Sequence, residues 1–342
     1  MNRRRFLGGV KSGGGAFDTN NYLTIVALEN GLTATLSVNA CEYCVDGDGE
    51  WKSLAAATAS ETVNAGQTLS FRGNLSPTSS AGVGTFTISK KCNLEGNCMS
   101  LLFGDGASAA TSLSGYHYAF YKLFYKCTNL VNVSETFLSA TTLAYYCYKS
   151  MFSGCTSLTT APELPATTSL PGCYESMFYD CTSLTTAPEL PATTLSTRCY
   201  YYMFFGCTSL TTAPELPATT LAYYCYFYMF SGCTSLTTAP ELPATTLSNY
   251  CYRSMFSGCT SLTTAPELPA TTLSYYCYYL MFYACTSLNY VKMLATDISA
   301  SGCLNSWLQG VASSGTFVKA AAMTTLPTGT SGIPSGWTVE DA

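Results

Sequence analysis

The chain has 342 residues, of which 47% are hydrophobic and only 10% are charged. The hydrophobic fraction excludes wholesale disorder, and a net charge of −5 leaves no basic field for a nucleic-acid backbone. A single histidine, His117, and scattered carboxylates form no catalytic constellation. No run of 18 apolar residues predicts a membrane span. The composition predicts a folded protein that is not an enzyme and carries no cofactor.

Residues 1–19 form a basic, glycine-rich arm. Arg3, Arg4 and Arg5 imitate a twin-arginine export signal, but Lys11 and five glycines interrupt the apolar stretch that such a signal needs. No signal peptide can therefore be read from this segment. Three roles for this segment are possible: an export signal, a flexible arm, or a docking arm that orders against a partner through the three arginines.

Residues 20–104 are predicted to form a small all-β, sandwich-like domain. Two alternating runs, 22–28 and 32–38, flank Asn30-Gly31, and this pattern predicts a hairpin because both turn residues tolerate positive φ. Further short strands are predicted at 50–54, 68–72 and 84–90, with a turn at 46–49. We place the domain boundary near 104–106.

This β-rich segment contains four cysteines. Cys41 and Cys44 form a Cys-x-x-Cys pair, whereas Cys92 and Cys98 are separated by five residues, which is the wrong spacing for a zinc knuckle. Buried free thiols are the favoured interpretation, and a zinc site or disulfides are the alternatives. The pattern gives no clear metal site.

A 26-residue repeat dominates residues 105–324. The segment Cys-Thr-Ser-Leu-Thr-Thr-Ala-Pro-Glu-Leu-Pro-Ala-Thr-Thr occurs five times without insertion, beginning at Cys155, Cys181, Cys207, Cys233 and Cys259. A second cysteine recurs in phase, at Cys147, Cys173, Cys199, Cys225, Cys251, Cys277 and Cys303. A fixed period in this range is typical of stacked repeat units.

Each copy divides into two halves. Residues 158–164 predict a short parallel strand, although Pro162 removes one hydrogen-bond donor from it. Residues 195–204 have apolar side chains at i, i+4 and i+8, which predicts a short helix. The fold class is therefore an α/β repeat, a solenoid with parallel strands, closed by a tail or cap at 325–342. The predicted core consists of Cys155, Leu158, Leu164, Cys173, Met177 and Phe178 and their equivalents.

The stacked cysteines are predicted to be buried and unpaired. Equivalent side chains in neighbouring coils point the same way and keep their Cβ atoms ~4.8 Å apart, whereas a disulfide prefers ~3.8 Å.

The repeat frame Met-Phe-x-x-Cys-Thr-Ser-Leu, as at residues 203–210, resembles the BspA-like leucine-rich repeats of Bacteroides and related organisms over residues 115–318. Residues 307–308 and 315–318 resemble that family's closing cap, and the segments 22–38 and 84–102 resemble the β domain that precedes such repeats. The resemblance implies a leucine-rich-repeat solenoid in a non-catalytic adhesion protein that is extracellular or at the cell surface. Its partner would be a protein or glycan on a cell surface.

A chain without a readable export signal also fits a structural phage virion component. Such a fibre or decoration protein would be anchored to neighbouring virion proteins by the N-terminal arm.

Differences between the copies concentrate around the second cysteine of each. Tyrosine, asparagine, serine and arginine, which recognition surfaces favour, are frequent there. We predict an exposed binding ribbon formed by Arg198, Tyr201, Tyr202, Tyr224, Phe227, Tyr228, Tyr250, Arg253, Tyr276 and Tyr279. The half that is identical in all copies carries one carboxylate per coil, predicted to form a solvated column of Glu163, Glu189, Glu215, Glu241 and Glu267.

Overall fold

The structure is a computed structural model that describes residues 17–324 and 326–342. The arm residues Arg3, Arg4 and Arg5 lie outside the described residues. The strands are β1 Leu23–Ala27, β2 Ala34–Leu36, β3 Cys41–Val45, β4 Lys52–Leu54, β5 Thr68–Arg72, β6 Phe86–Ile88, β7 Cys92–Glu95, β8 Leu130–Val133, β9 Tyr290–Met293, β10 Thr316–Lys319 and β11 Thr338–Asp341. One short α-helix, α1 Ser100–Phe103, and three 3₁₀ helices, Thr19–Asn21, Gly104–Ala109 and Glu135–Phe137, complete the regular elements of this part of the chain.

The β-rich segment consists of two sheets. A six-stranded sheet has the order β4-β3-β5-β1-β7-β8, and a two-stranded sheet pairs β2 with β6. The strand predicted at 68–72 is confirmed as β5, and β4 and β6 lie within the strands predicted at 50–54 and 84–90.

The predicted hairpin at Asn30-Gly31 is wrong. The two residues do form a turn, with Gly31 at a φ of 81°, but the strands on either side belong to different sheets. Strand β1 is antiparallel to β5 on one edge and to β7 on the other, so it has no edge left for β2. Strand β2 pairs with β6 instead.

The six-stranded sheet extends into the repeats, because β8 pairs in parallel with β7. The cysteines follow the same continuity. Burial and the neighbouring Cys127 thiol raise the pKa of Cys92, and burial and Cys147 raise the pKa of Cys98. Cys92 and Cys98 therefore begin the two cysteine columns of the repeats, a relation that the sequence analysis missed.

The half of each copy that contains the second cysteine is a series of turns, and the predicted helix at 195–204 is wrong. Alternate amide groups donate to the carbonyl three residues back, as from Met203 to Tyr200 at 3.2 Å. The amides between them donate to the next coil at 2.9 to 3.1 Å, along a row formed by Arg198, Tyr200, Tyr202, Phe204 and Gly206. A helix would use all of these donors within the coil, whereas here half of them join neighbouring coils.

Every fourth residue of this turn segment has a left-handed backbone, for example Arg198, Tyr202 and Gly206 with φ of 56°, 56° and 70°. Such residues stand third in every other turn of the segment, where a type II turn requires positive φ. The resulting burial pattern repeats every four residues, with two side chains inward and two outward. That period of four, rather than 3.6, explains why an i, i+4, i+8 pattern imitated a helix.

The core of the repeats is a set of side-chain columns. One column stacks phenylalanine rings with centroids 5.5 to 5.7 Å apart, from Phe124 to Phe282. A second stacks tyrosine rings 5.7 to 6.1 Å apart, from Tyr148 to Tyr278. Both end on Trp307, whose indole donates to the Gly332 carbonyl at 3.0 Å.

The predicted burial of the core is confirmed. Cys155, Leu158, Leu164, Cys173, Met177 and Phe178 are all buried. All 18 cysteines are buried free thiols. The thiol that begins each copy donates to a phenylalanine carbonyl of the preceding coils, as from Cys207 to Phe178 at 3.1 Å. This position therefore combines apolar packing with a weak hydrogen bond.

The other half of each copy is extended and pairs in parallel through single bridges rather than through continuous strands. Thr160, Thr186, Thr212 and Thr238 form successive bridges. Strands of four residues occur at β8 and β9, where the Ala-Pro-Glu-Leu-Pro segment is absent. Each proline lacks the amide that a continuous ladder would need. At the C-terminal end, β10 lies between β9 and β11 and is parallel to both.

Candidate functional site

Two surfaces of the repeats are candidates for binding. We call the outward side chains of the turn segments the aromatic face; it comprises Tyr145, Tyr179, Arg198, Tyr201, Tyr202, Phe205, Tyr223, Tyr224, Phe227, Tyr228, Tyr250, Arg253, Tyr275, Tyr276, Tyr279 and Tyr283. We call the five Ala-Pro-Glu-Leu-Pro segments the proline–glutamate face; they are residues 161–165, 187–191, 213–217, 239–243 and 265–269.

The structure brings the ten predicted ribbon residues together on the aromatic face. Residues one period apart stack directly: Tyr202 lies on Tyr228 with ring centroids 4.9 Å apart, and Tyr224 lies on Tyr250 at 4.7 Å. The second stack continues to Tyr276 at 5.4 Å. The rings thus form rows that run from coil to coil.

The predicted exposure is wrong for Phe227, which is only 7% exposed. Its ring lies between Tyr201, stacked at a centroid distance of 4.8 Å, and the guanidinium of Arg253, 5.2 Å from the ring centroid. The other nine predicted residues are half-buried, because each covers its neighbour in the row. Phe227 supports the surface rather than forming it.

The most exposed tyrosines between residues 198 and 279 are two that the prediction omitted. Tyr223 and Tyr275 are 41% and 40% exposed, and each packs edge-on against the tyrosine that follows it. The sequence signal was present, because both precede a predicted residue in a Tyr-Tyr-Cys triplet. The four-residue period of two inward and two outward positions would have placed them outside.

Several tyrosines of this face occupy left-handed backbone positions. Tyr202, Tyr224, Tyr228, Tyr250 and Tyr276 have φ between 51° and 59°. A left-handed conformation costs a residue with a Cβ roughly 1–2 kcal/mol. Glycine occupies the position of Tyr224, Tyr250 and Tyr276 in two other coils, at Gly172 and Gly302. The backbone therefore accepts glycine where the aromatic face carries tyrosine.

The two arginines of the face lie against rings. The guanidinium of Arg253 lies 4.5 Å from the ring centroid of Tyr279, 5.6 Å from that of Tyr250 and 5.9 Å from that of Tyr276. The guanidinium of Arg198 lies 5.3 Å from the Tyr201 centroid and 5.5 Å from that of Tyr224. These distances are within the range of cation–π attraction.

Burial raises the pKa of several hydroxyls on this face. Desolvation, with the Tyr223 hydroxyl as hydrogen-bond partner, raises the pKa of Tyr224 to about 12. Desolvation also raises the pKa of Tyr201 and Tyr202. All three hydroxyls therefore stay protonated at neutral pH and can donate hydrogen bonds.

The proline–glutamate face carries shallow grooves between coils. A groove of about 400 Å³ is lined by Pro214, Glu215, Pro217, Pro240, Glu241 and adjacent residues. Grooves of about 350 Å³ follow on both sides, one along Glu189 and Pro191 and the other along Glu267 and Pro269. The five glutamates are exposed, and Glu267 pairs with Lys292 at 2.9 Å.

No group of three or more potential metal ligands occurs among the residues that the structure describes. The four N-terminal cysteines do not converge, because β5 and β1 separate β3, with Cys41 and Cys44, from β7, with Cys92. Cys44 instead donates to an Asp48 carboxylate oxygen at 3.2 Å, and burial raises its pKa to about 11. None of the helices in the described ranges has the length and apolar character needed to cross a membrane.

Comparison with known proteins gives one match. The family model of the BspA type leucine rich repeat region matches residues 117–237 and 197–314, in six copies. Together these ranges cover more than half of the chain. No curated protein and no solved structure matches it.

Proposed function

The chain belongs to the BspA-type leucine-rich repeat family, and from this we propose that it is a non-catalytic recognition protein whose aromatic face binds a protein or glycan partner. Repeats of this family form a non-enzymatic binding fold. We propose further that the chain acts at a cell surface or outside the cell. Its architecture would be a parallel-stranded solenoid at 105–324, preceded by the β-rich unit at 20–104 and closed by residues 325–342.

One observation carries the proposal: tyrosines occupy strained backbone positions on this surface. A position that also accepts glycine, as Gly172 and Gly302 show, carries tyrosine in three successive coils, at Tyr224, Tyr250 and Tyr276. Glycine adopts this conformation without the steric penalty that a Cβ brings. Strained residues that persist cluster at functional sites. A ribbon of half-exposed tyrosines is also the composition that binding surfaces use.

The test compares the two faces on one preparation of the full chain. The double variant Tyr223→Ala/Tyr275→Ala removes the most exposed rings of the central coils, and Thr212→Ala/Thr238→Ala is the matched control on exposed threonines next to the proline–glutamate face. Binding is measured on an oligosaccharide array and on a panel of immobilised secreted proteins.

We expect the tyrosine variant to lose at least 10-fold in affinity for whichever probe the unmodified chain binds, while its melting temperature stays within about 2 °C. The threonine variant should keep the affinity. The opposite result, in which the threonine variant loses binding and the tyrosine variant retains it, would assign recognition to the other half of the repeat.

The virion alternative depends on the N-terminal arm. Because that arm lies outside the described residues, the docking role of Arg3, Arg4 and Arg5 stays a prediction.

A further inference from the structure

The aromatic face carries two arginines that no carboxylate neutralises. The ion pairs of the described residues use other cations, namely Lys52, Arg72, Lys149, Lys292 and Lys319. Arg198 and Arg253 contact only rings, and the buried Nε of Arg253 has no hydrogen-bond partner. The buried Nε of Arg253 is out of a ligand's reach, so the terminal amino groups of the two guanidinium groups are the donors left for an acceptor supplied by a ligand.

The equivalent residue four coils earlier is a cation that does have a carboxylate partner. Lys149 stands four periods before Arg253 in the same row, and its ammonium pairs with the buried carboxylate of Glu175 at 2.8 Å. Tyr279 stands in the place of that carboxylate beside Arg253, and Phe227 lies on the other side of the guanidinium. The row therefore contains a neutralised cation near one end and an unpaired cation near the other.

Four rings hold the guanidinium of Arg253 in one place. A guanidinium that is oriented in this way loses less rotamer freedom when it binds, and its planar N–H fork matches a carboxylate or a sulfate. Arg198 lies two coil steps away, about 10 Å at ~4.8 Å per coil. Two anionic groups on one extended ligand can therefore reach both arginines.

The charge distribution favours the same face. The chain has a net charge of −5, and exposed carboxylates line the proline–glutamate face, so an anion is repelled from most of the surface. Arg198 and Arg253 are the cations of the aromatic face, whereas Lys122 and Lys126 lie over Tyr121 and Tyr125 in an earlier coil. Binding of an anionic ligand would then depend on the two arginines rather than on general basicity.

The shape of the face favours a sugar over a peptide. Protein hot spots usually fill pockets, and the grooves described above lie on the other face. The aromatic face instead presents ring surfaces and protonated hydroxyls, which suit the C–H faces and hydroxyl groups of sugar rings. We infer that Arg198 and Arg253, with the tyrosines between them, bind an oligosaccharide that carries carboxylate or sulfate groups; this inference rests on the proposed function.

The experiment uses three matched probes and the full chain. The probes are an oligosaccharide of uronic acids, the same oligosaccharide with its carboxyls reduced to alcohols, and the reduced form after O-sulfation. Affinities are measured by calorimetry for the unmodified chain and for Arg198→Gln and Arg253→Gln. Arg72→Gln is the matched control, because Arg72 also lies over a ring, that of Trp51 at 4.1 Å, but is paired with Glu42 and Asp105 outside the repeats.

We expect an acidic probe to bind at least 10-fold more tightly than the neutral one. Each of the two variants on the aromatic face should lose about 10- to 100-fold in affinity for that probe, as expected for a charge-assisted hydrogen bond, and R72Q should lose none. The tighter of the two acidic probes identifies carboxylate or sulfate as the preferred group. Should R253Q fail to fold, R198Q and the charge-preserving R253K, which loses the fork, take its place.

Equal binding of the neutral probe, or unchanged affinity in R198Q and R253Q, would overturn the inference. If the probe then still binds and its binding requires Tyr223 and Tyr275, the proposed function stands although the inference about the arginines fails. Failure of all three probes also overturns the inference, and the protein panel then tests the proposed function alone. A single-stranded oligonucleotide of equal charge that binds as tightly would show general polyanion adsorption and would overturn it as well.

Discussion

The two faces of each coil are joined to their neighbours by different kinds of contact. On the aromatic face, main-chain hydrogen bonds link successive coils at every second residue of the turn segment. Next to the proline–glutamate face, the central coils meet at single threonine bridges, such as Thr186 to Thr212. Because main-chain groups make the hydrogen bonds of the turn segment, its surface side chains can vary. This explains why the copies differ in that half of the repeat.

The identical half depends on its side chains. Leucines such as Leu210 and Leu216 are buried on either side of the extended segment, and prolines take the place of hydrogen-bonded residues. Packing of this kind is sensitive to each methyl group. In the turn segments, main-chain hydrogen bonds hold the coils at a fixed spacing while the surface side chains vary. The opposite edge is packed and identical in all copies. This arrangement suits the presentation of different side chains at a fixed spacing.

The largest effect should come from alkaline pH, which acts on the core beneath both faces. Burial raises the pKa of Cys147 and Cys233 to about 12, whereas a thiol in an unfolded chain titrates near ~8.5. Above that pH the unfolded chain releases protons that the native chain retains, so the free energy of unfolding falls as pH rises towards the native pKa.

Each such thiol should lower the stability by about 2 kcal/mol at pH 10, and several together would offset a typical stability of roughly 5–15 kcal/mol. Circular dichroism between pH 7 and 11, with reductant present, should show cooperative unfolding between about pH 9 and 11 that reverses on return to pH 7. A chain that remains folded at pH 11 would contradict the burial of the thiol columns.

The next largest effect should come from the tyrosine column of the core. Tyr226 is 1% exposed and stacks between Tyr200 and Tyr252. Tyr226→Ala should reduce the free energy of unfolding by about 3–5 kcal/mol, measured by urea denaturation, because it leaves a cavity between two rings. Loss of less than about 1 kcal/mol would mean that the column is not part of the core.

A residue two positions earlier sharpens the comparison. Tyr224 has a φ of 59° and stacks on Tyr250 at the surface. In Tyr224→Gly, relief of about 1–2 kcal/mol of backbone strain offsets part of the loss of four ring contacts, each worth about 0.5–1.5 kcal/mol. Urea denaturation should therefore show a net loss of about 1–3 kcal/mol. A loss as large as that of Tyr226→Ala would show that stacking, not binding, maintains the tyrosine.

The smallest effect should come from the exposed glutamates. Glu215→Gln/Glu241→Gln removes two neighbouring carboxylates of the column. Repulsion between solvated charges is weak and screened, so the melting temperature should rise by no more than about 1–2 °C at low salt, and the rise should vanish near 1 M salt. A clear fall at low salt would indicate that the carboxylates bind a cation or a partner.

Much of the repeat core was predictable from periodicity alone. The identity and phase of Cys155, Leu158 and Phe178 placed them inside, and all three are buried. The turn segment was not recognised, because apolar residues four apart fit a helix almost as well as a four-residue turn period. The candidate site was located from variation between copies, but Phe227 was assigned to the surface, since variation does not report depth.

The sequence by itself determined the repeat period, the buried columns and the location of the variable aromatic side chains, because each follows from a local pattern repeated in phase. Tertiary structure decided what depends on neighbouring coils. The left-handed turns form because alternate amides find acceptors one coil away, and the Asn30-Gly31 turn leads to a second sheet because both edges of β1 are occupied. Arg253 lacks a carboxylate partner because the coils on either side place aromatic rings against it. A local pattern cannot specify such partners, since they come from chain segments about 26 or more residues away.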